Sequence, residues 1–585
     1  MSNLDKIFKL SENGTTVATE ARAGLVTFLT MSYIIFVQPI ILATSPDTGT
    51  GLSWHTVFVA TCVSAAIATL LMAFFANYPI ALAAAMGHNV LFAKFCRDGT
   101  INWQTGLGAI FISGTIFVIL SLWGIREKIV NAIPASLKHA IAVGIGLLIA
   151  FIGFQWAGLT IGDPAVLVKM GNVRLAPVLL AIGGLLFTAA LIALRLRGAI
   201  LIGIVATAAA GIPLGITSTD AVKDKGIVAV PKRVPMKTLA VMPIYVEKGV
   251  EADKDAIVAA LAAAAAEHYE KGKFLTPAEV KETFEGTDVA IEPGELSAPA
   301  REHLACGLAI LARIEKGKAG AALRIRAVDA ESGNVWRDYT PLPLPASPER
   351  LRRHANDVIL GLPGHDGLLK FDVLGALKLG LLHVIFIFFF LDLFDTIGTL
   401  IGVSQQAGFL RDGKLPRARG ALLADAVGTI VGAGLGTSTV TSYIESSAGV
   451  ADGARTGLAN VVTALLFFAA LFFSPVVEMI GGAHVVVDQG KTLFLHPAVA
   501  PVLIIIGSIM LRNVVHIQWT DATEALPAFL AIMVMPLTFS ITDGIAFGLI
   551  SYSFLKLVTG RGREVHWLVY AFSILFIVRY IYVGT

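Results

Sequence analysis

Apolar residues in this chain occur in long, nearly unbroken runs. Runs such as 24–42, 57–75, 141–154 and 178–193 are near the length of about 20 residues with which a helix crosses a hydrocarbon core. None of them alternates between apolar and polar residues, as the strands of a membrane barrel do. The pattern therefore predicts an all-α polytopic membrane protein.

The apolar segments form two sets of seven, at about 22–216 and 373–558. In each set the third segment, 79–95 or 437–450, is short and broken by polar or small residues. Because seven is odd, the second set enters the membrane from the opposite side, which predicts a 14-helix inverted 7+7 repeat. Paired broken segments in such repeats indicate a transporter binding site. A last apolar stretch, 565–583, is either a further crossing or an interfacial helix.

Charged residues concentrate between the two sets. Residues 217–372 carry about half of the charged side chains of the chain, and their strand-like and helix-like patterns predict an inserted soluble α/β domain. We therefore divide the chain into a first inverted repeat at 1–216, the inserted domain at 217–372, and a second inverted repeat with the extra apolar segment at 373–585.

Basic residues between the apolar segments orient the chain. With a cytoplasmic N-terminus, one side of the membrane receives Arg126, Lys128, Lys138, Arg195, Arg197, Arg411, Lys414, Arg417, Arg419, Arg561 and Arg563. An excess of Lys and Arg marks the cytoplasmic side. We expect a multi-pass protein of the cytoplasmic (inner) membrane, with the inserted domain in the periplasm.

Composition agrees with this class of protein. Hydrophobic residues make up 55% of the chain and charged residues 15%. The net charge of only +3 gives no indication of nucleic-acid binding. Soluble domains carry about 25% charged residues. The three widely spaced cysteines fit neither a disulfide framework nor a metal motif. We predict no cofactor, no metal site and no enzymatic activity.

Two carboxylates lie within the apolar run FIFFFLDLFDTIGTLIGV, at Asp392 and Asp395. A charge at the membrane centre costs at least about 2.5–3.5 kcal/mol and usually marks a functional site. Their spacing of three places both on one helical face, which must face protein or a wet cavity. We interpret them as a substrate ligand and a proton-coupling site; the alternative is a structural ion pair or a packing role. Asp425 is interpreted as structural.

Each broken segment also carries a candidate polar ligand. Glu445 in the second can accept N–H groups from a planar heterocycle or carry a proton, and Asn89 in the first can donate and accept. The alternatives are a capped loop acid for Glu445 and a satisfied interhelical amide for Asn89.

Several stretches resemble the AzgA-like branch of the nucleobase–ascorbate (NCS2) transporter family. They are LSENGTTVATEARAGLVTFLTMSYIIFVQP, FVATCVSAAIATLLMAFFANYPIALAAAMGHN, LDLFDTIGTLIGV, LGTSTVTSYIESSAGVADGARTGL and EALPAFLAIMVMPLTFSITDGIAFGLISY. The resemblance implies proton-coupled uptake of purine bases (adenine, guanine or hypoxanthine) and an elevator-like motion of a core domain against a gate domain. It also implies a homodimer.

The resemblance further implies which residues form the site. The family holds its base on the third, eighth and tenth segments, which here correspond to Asn89, Asp392 and Glu445. Further residues implied in binding or transport are Asp395, Met86, Gly87 and Ser446. The chain departs from the family pattern at Ala84, Ala85 and His88, and in having Gln38 where Asn is usual. Its inserted domain replaces a short connection.

Two other classes of function remain open. A related transporter could carry uracil, xanthine, ascorbate or an inorganic anion, although an anion carrier predicts a basic site in place of the intramembrane acids. A membrane receptor could sense a ligand through the inserted domain, which predicts an attached signalling domain.

Overall fold

The structure is a computed structural model. It describes residues 3–43, 50, 52, 54–97, 101–124, 129, 132–163, 166–225, 227, 239–247, 253–268, 274–284, 308–317, 320–329, 335–338, 342–344, 371–378, 388–389, 392–393, 396, 399–400, 402–404, 407–409, 415–488 and 491–582. Two compact units are distinguished. The first comprises Met1–Leu42, Trp54–Val230 and Leu369–Thr585, and the second comprises Ala43–Ser53 and Pro231–Leu368.

Helices dominate the first unit. They are α1 (Asn3–Phe8), α2 (Val17–Met31), α3 (Ile34–Leu42), α4 (Trp54–Phe75), α5 (Met86–Arg97), α6 (Trp103–Leu122), α7 (Ala135–Trp156), α8 (Ala176–Ala193), α9 (Ala199–Gly211) and α10 (Asp220–Lys225). The described helices of the second unit are α11 (Lys254–His268) and α12 (Pro277–Phe284). After it come α13 (Val373–Lys378), α14 (Ala418–Leu435), α15 (Ser446–Ala451), α16 (Leu458–Ala470), α17 (Ser474–Gly481), α18 (Ala500–Met510), α19 (Ala522–Thr538), α20 (Ile541–Val558) and α21 (Trp567–Tyr582).

Many of these helices are long and apolar enough to cross a membrane. Within the described residues there are eight such spans: Val17–Leu42, Trp54–Phe75, Trp103–Leu122, Ala135–Trp156, Ala176–Ala193, Ala418–Leu435, Leu458–Gly481 and Ile541–Val558. Shorter apolar helices cover Ala199–Gly211, Ala500–His516, Ala522–Thr538 and Trp567–Ile581. The protein is a helical polytopic membrane protein.

The helices of the first unit pack in two groups. In the first group α4 packs against α14 and α16, α14 against α6, and α2 against α15 and α16. In the second group α7 packs against α18 and α19, α19 against α20, α20 against α21, and α8 against α9 and α18. Packing is denser within each group than between them.

Small residues bring these helices close together. A Cβ added at Gly428 of α14 would lie 2.8 Å from the Cβ of Ala68 in α4, and one at Gly507 of α18 would overlap the carbonyl oxygen of Gly146 in α7. Because apolar side chains gain little by leaving lipid for one another, membrane helices rely on such close contacts for their association.

Short strands interrupt this helical unit, which the prediction of an all-α membrane part did not include. Strand β1 (Leu82–Ala84) pairs with β11 (Val440–Ser442), and two hairpins are formed by β2 (Thr160–Asp163) with β3 (Leu167–Met170) and by β12 (His484–Asp488) with β13 (Lys491–Leu495). The hairpins follow membrane-length helices, whereas β1 and β11 lie inside the two broken segments.

Within the described residues, the second unit contains one mixed sheet. Its strands are β4 (Leu239–Val241), β5 (Tyr245–Val246), β6 (Phe274–Leu275), β7 (Leu308–Gly317), β8 (Gly320–Asp329), β9 (Val335–Asp338) and β10 (Leu342–Pro343). Strands β4, β5 and β7 run parallel, and the long hairpin of β7 and β8 is antiparallel. Buried aliphatic residues such as Ile257 of α11, Val280 of α12 and Ile310 of β7 supply a core for this unit.

Candidate functional site

The two broken segments meet through their backbones. Strands β1 and β11 are antiparallel, from Leu82 opposite Ser442 to Ala84 opposite Val440, and hydrogen bonds of 2.8 and 3.0 Å extend the ladder beyond both ends. The strands lead into α5 and α15 respectively, so each broken segment is a three-residue strand followed by a helix. The interruption that the sequence predicted thus takes the form of a buried two-stranded ladder.

Two threonines satisfy the outer backbone groups of this ladder. Thr69 of α4 donates its hydroxyl to the Leu82 carbonyl and accepts the Leu82 N–H, both at 3.0 Å. Thr429 of α14 does the same at Val440, at 2.9 and 3.4 Å. In a low-dielectric interior each unpaired backbone group would cost several kcal/mol, so these hydroxyls allow strands to exist at this depth.

An open cavity lies against the ladder. One wall comes from the broken segments, with Met86 and Gly87 on one side and the stretch Thr441–Glu445 on the other. The facing wall is apolar and is formed by Ile145, Ile149, Ile506 and Met510 of α7 and α18. Tyr33 and Thr399 complete the lining. The cavity therefore lies between the two helix groups and combines a polar backbone wall with an apolar one.

Glu445 places its carboxylate in this cavity. It immediately precedes α15 and is partly exposed, and the Tyr33 phenol donates a 2.8 Å hydrogen bond to its Oε1. Tyr33 lies where the first membrane span breaks between α2 and α3, and Thr30 in the last turn of α2 donates to the Glu445 carbonyl at 3.3 Å. Glu445 lies at a break in the second half of the chain, and residues at the break in the first span hold it in place.

Of the two aspartates in the apolar run, the structure describes only Asp392. Asp392 is helical and fully buried, and it is not among the described residues that line the cavity. Asp395 lies outside the described residues. The structure therefore brings Glu445, Met86 and Gly87 together at the cavity, and the roles predicted for Asp392 and Asp395 stay predictions.

Asn89 is held in a buried amide pair. Gln38 of α3 donates through Nε2 to Asn89 Oδ1 at 3.1 Å and to Thr437 Oγ1 at 2.8 Å. In return Asn89 donates to Gln38 Oε1, and Ser438 donates to Asn89 Oδ1. Asn89 is fully buried and does not line the described cavity. Gln38, one of the departures from the family pattern, is thus its direct partner.

Gly87 and Ser446 make close packing and backbone contacts beside the ladder. A Cβ at Gly87 would overlap the end of the Ile541 side chain at the start of α20, so the two segments approach closely at this point. The Ser446 hydroxyl accepts the Ala81 N–H at 3.0 Å and so binds α15 to the other broken segment.

Sequence reasoning missed a buried chain of hydroxyls that reaches the cavity. Thr396 donates to Asp425 Oδ1 at 2.6 Å and lies 2.9 Å from the hydroxyl of Thr441, which lines the cavity. Asp425 is fully buried. The sequence interpretation of Asp425 as structural did not include this connection to the cavity.

A cluster of charges lies away from the cavity, where α19 begins and α20 ends. Arg561 lies 2.7 Å from Asp521 and 2.9 Å from Glu564, and buried Lys556 lies 3.0 Å from Glu564. Hydrogen bonds from Arg561 and then Lys556 lower the pKa of Glu564 to about 2, and those from Arg561 and Thr523 lower the pKa of Asp521. Within the described residues, no group of three His, Cys, Asp or Glu side chains is placed to hold a metal ion.

Comparison with known families identifies the membrane part of the chain. The model described as "Permease family" matches residues 19–246 and 367–547. Both broken segments and the whole lining of the cavity fall within these matches, whereas residues 247–366 lie between them.

Relatives that match the chain over most of its length support the same family. The chain is 34% identical to "Guanine/hypoxanthine permease PbuO" of Bacillus subtilis, over 98% of this chain and 99% of that protein. It is 32% identical to "Adenine permease AdeP" of Escherichia coli, over 99% and 96% respectively. It is 25% identical to "Nucleobase transporter PlAzg2" of Paenibacillus larvae, over 91% and 76%. These relatives are permeases rather than enzymes, and the chain belongs to this permease family, the nucleobase–ascorbate transporters that its sequence resembles.

Proposed function

We propose that this protein is a proton-coupled symporter that imports purine nucleobases across the cytoplasmic membrane. Relatives that the chain matches over nearly their whole length are guanine/hypoxanthine and adenine permeases, which supports a purine as the cargo. The observation that carries the proposal is the Glu445 carboxylate, which faces a cavity where the two broken segments meet.

Glu445 supplies the polar recognition. A carboxylate only accepts hydrogen bonds, and it can take two neighbouring N–H groups of a planar base in a bidentate arrangement. Guanine, hypoxanthine and adenine all carry ring N–H groups. Tyr33 occupies Oε1 from one side, which leaves the carboxylate held in place before the cargo arrives. Preorganisation of this kind strengthens binding because less freedom is lost when the ligand binds.

The apolar wall supplies the shape. Ile145, Ile149, Ile506 and Met510 face the ladder across the cavity. A flat aromatic ring can lie between an aliphatic wall and a strand backbone and bury both of its faces. A hydrated inorganic ion would gain nothing from such a wall, which favours a heterocycle over an anion as the cargo.

Proton coupling would use the acids of the membrane interior. Glu445, Asp392 and Asp395 are the proposed carriers, since a carboxylate in a low-dielectric interior can exist in protonated form and cross the membrane as a neutral group. Asn89 and the backbones at Met86, Gly87 and Ser446 belong to the proposed base site in a supporting capacity.

The proposed architecture is a 14-helix inverted repeat that moves as an elevator. Its support is the equivalence of the two broken segments, each a short strand tied to a preceding helix by one threonine, Thr69 or Thr429. The two helix groups would be the core and gate domains, and the cavity lies where they face each other. A homodimer and a periplasmic location of residues 217–372 complete the proposal.

The test is binding and uptake of radiolabelled guanine, hypoxanthine and adenine by the purified full-length protein, in detergent and in proteoliposomes with an inward proton gradient. Glu445→Gln keeps the shape of the side chain and removes its charge. We expect this variant to bind its preferred base about 10–100-fold more weakly, since hydrogen bonds to charged groups contribute about 1.5–3 kcal/mol.

The matched control is Glu12→Gln, the same chemical change at an exposed acid that pairs with Lys9 on the surface. It should bind and transport as the unmodified protein does. Absence of purine binding by the unmodified protein would refute the cargo, and uptake that ignores the proton gradient would refute the coupling.

A further inference from the structure

One hydroxyl in the wall of the cavity has no hydrogen-bond partner within the described residues. Ser442 is the last residue of β11, is 2% exposed and lines the cavity beside Glu445. Its Oγ is buried and unpaired among the described groups. Most buried polar side-chain atoms in proteins have a partner, so an unpaired one at a cavity wall needs an explanation.

The neighbouring hydroxyls of the same broken segment differ in their contacts. Thr441 lines the cavity but shares its hydroxyl with Thr396 at 2.9 Å. Thr439 has an unpaired Oγ1 within the described structure, but it does not line the cavity. Ser442 therefore combines two properties that the other two do not share: it lines the cavity, and its buried hydroxyl has no partner among the described groups.

We infer that Ser442 is a specificity-determining residue, whose hydroxyl donates a hydrogen bond to a lone pair of the bound nucleobase. This inference rests on the proposed function. Leaving a buried hydroxyl without a partner is unfavourable, and a ligand atom that supplies the missing bond recovers that free energy on binding. The site is then built to bind its cargo and to reject analogues that lack the matching atom.

Ser442 and Glu445 are complementary in their chemistry. Glu445 can only accept, whereas a serine hydroxyl can donate, and the two lie three residues apart in one broken segment. Together they select a planar heterocycle that presents an N–H group towards Glu445 and a ring nitrogen or carbonyl oxygen towards Ser442. Purine bases carry N–H donors as well as ring-nitrogen or carbonyl-oxygen acceptors along the edge of the same ring system.

The test compares hypoxanthine with four analogues that each weaken or lack one acceptor: 6-thiohypoxanthine, which keeps N1–H but has sulfur in place of the 6-oxo oxygen, and 3-deaza-, 7-deaza- and 9-deazahypoxanthine. Binding to the full-length protein and to Ser442→Ala is measured for all five. We expect the unmodified protein to bind one analogue about fivefold more weakly than hypoxanthine, the size of effect of one neutral hydrogen bond. Ser442→Ala should lose about fivefold for hypoxanthine and lose its discrimination against that one analogue.

Two further variants separate recognition from folding. Ser442→Thr keeps a hydroxyl and should retain discrimination, and Thr439→Val removes an unpaired hydroxyl outside the cavity and should leave all five affinities unchanged. Without ligand, Ser442→Ala should melt at or above the temperature of the unmodified protein, because it removes an unpaired buried group.

The outcomes are distinct. If Ser442→Ala preserves the affinity order and ratios of the unmodified protein, the role of Ser442 is refuted while purine transport stands. The same holds if the unmodified protein binds hypoxanthine but does not discriminate among the analogues. If the unmodified protein binds none of the purines, the proposed function fails, and the role of Ser442 fails with it.

Discussion

A single hydrogen bond joins the first membrane span to the acid of the site. The Tyr33 phenol donates to Glu445 Oε1 at 2.8 Å, and the two residues lie at breaks in different helices. A donor fixed to one carboxylate oxygen orients the other for a ligand. At the scale of single residues, the function of the cavity depends on this orientation as much as on the charge itself.

We therefore expect Tyr33→Phe to weaken purine binding about three- to tenfold, because the carboxylate loses the donor that orients it but keeps its own bonds to the ligand. In the background of Glu445→Gln the same change should cost less than about twofold, since the charged acceptor is already gone. A double-mutant cycle of binding affinities measures this coupling. Equal losses in both backgrounds would mean that Tyr33 acts elsewhere in the site.

Sequence could find some of these residues but not others, for physical reasons. Glu445 and Asp392 stand out because a charge within an apolar segment is costly. Tyr33 and Ser442 do not, because a tyrosine or serine in an apolar segment is common. The partner of Tyr33 also lies 412 residues away in the chain. Asn89 was expected at the site, but the structure pairs it with Gln38, a contact that depends on how α3 and α5 meet.

At the scale of elements, the ladder of β1 and β11 is the unusual feature. Strands of three residues are too short to be stable alone, and each has an edge that faces a helix rather than another strand. Thr69 and Thr429 pair these edges, so that the backbone polar groups are satisfied without water. The sequence predicted the breaks from their small and polar residues, but not that the two breaks pair with each other.

We predict that Thr69→Val and Thr429→Val each lower the free energy of unfolding by about 1–3 kcal/mol, the cost of leaving buried polar groups unpaired. Val matches Thr in shape but lacks the hydroxyl. Thermal and denaturant unfolding of the purified variants in one detergent is the measurement. Thr439→Val is the matched control, because its hydroxyl has no partner within the described residues. Equal stability of all three variants would contradict this account of the ladder.

At the scale of the whole membrane unit, one acid connects the two helix groups. Asp452, at the end of α15, lies 2.7 Å from Arg22 of α2 in its own group. It also lies 2.6 Å from Arg197, which precedes α9 in the other group. If the groups slide past each other, the bond to Arg22 persists, whereas the bond to Arg197 must break in one of the two positions.

Arg197→Gln should therefore change the rate of purine uptake by up to about fivefold while leaving equilibrium binding within about twofold, because a surface ion pair contributes at most about 1 kcal/mol. Arg22→Gln removes a bond within one group and is the matched control. Uptake and binding are measured on the same preparations. An identical effect of the two variants on uptake would argue against relative motion of the two groups.

The ladder also has a consequence for biogenesis. Ala81 and Ser446, which are bonded beside it, are 365 residues apart in the chain. At about 5–20 residues per second, a ribosome needs on the order of 20–70 s to synthesise that stretch. Throughout this interval β1 lacks its partner strand, and lipid cannot replace the missing hydrogen bonds. The first half of the protein must therefore be sheltered during insertion, and the pairing of its broken segment is a late step of assembly that a truncated chain cannot complete.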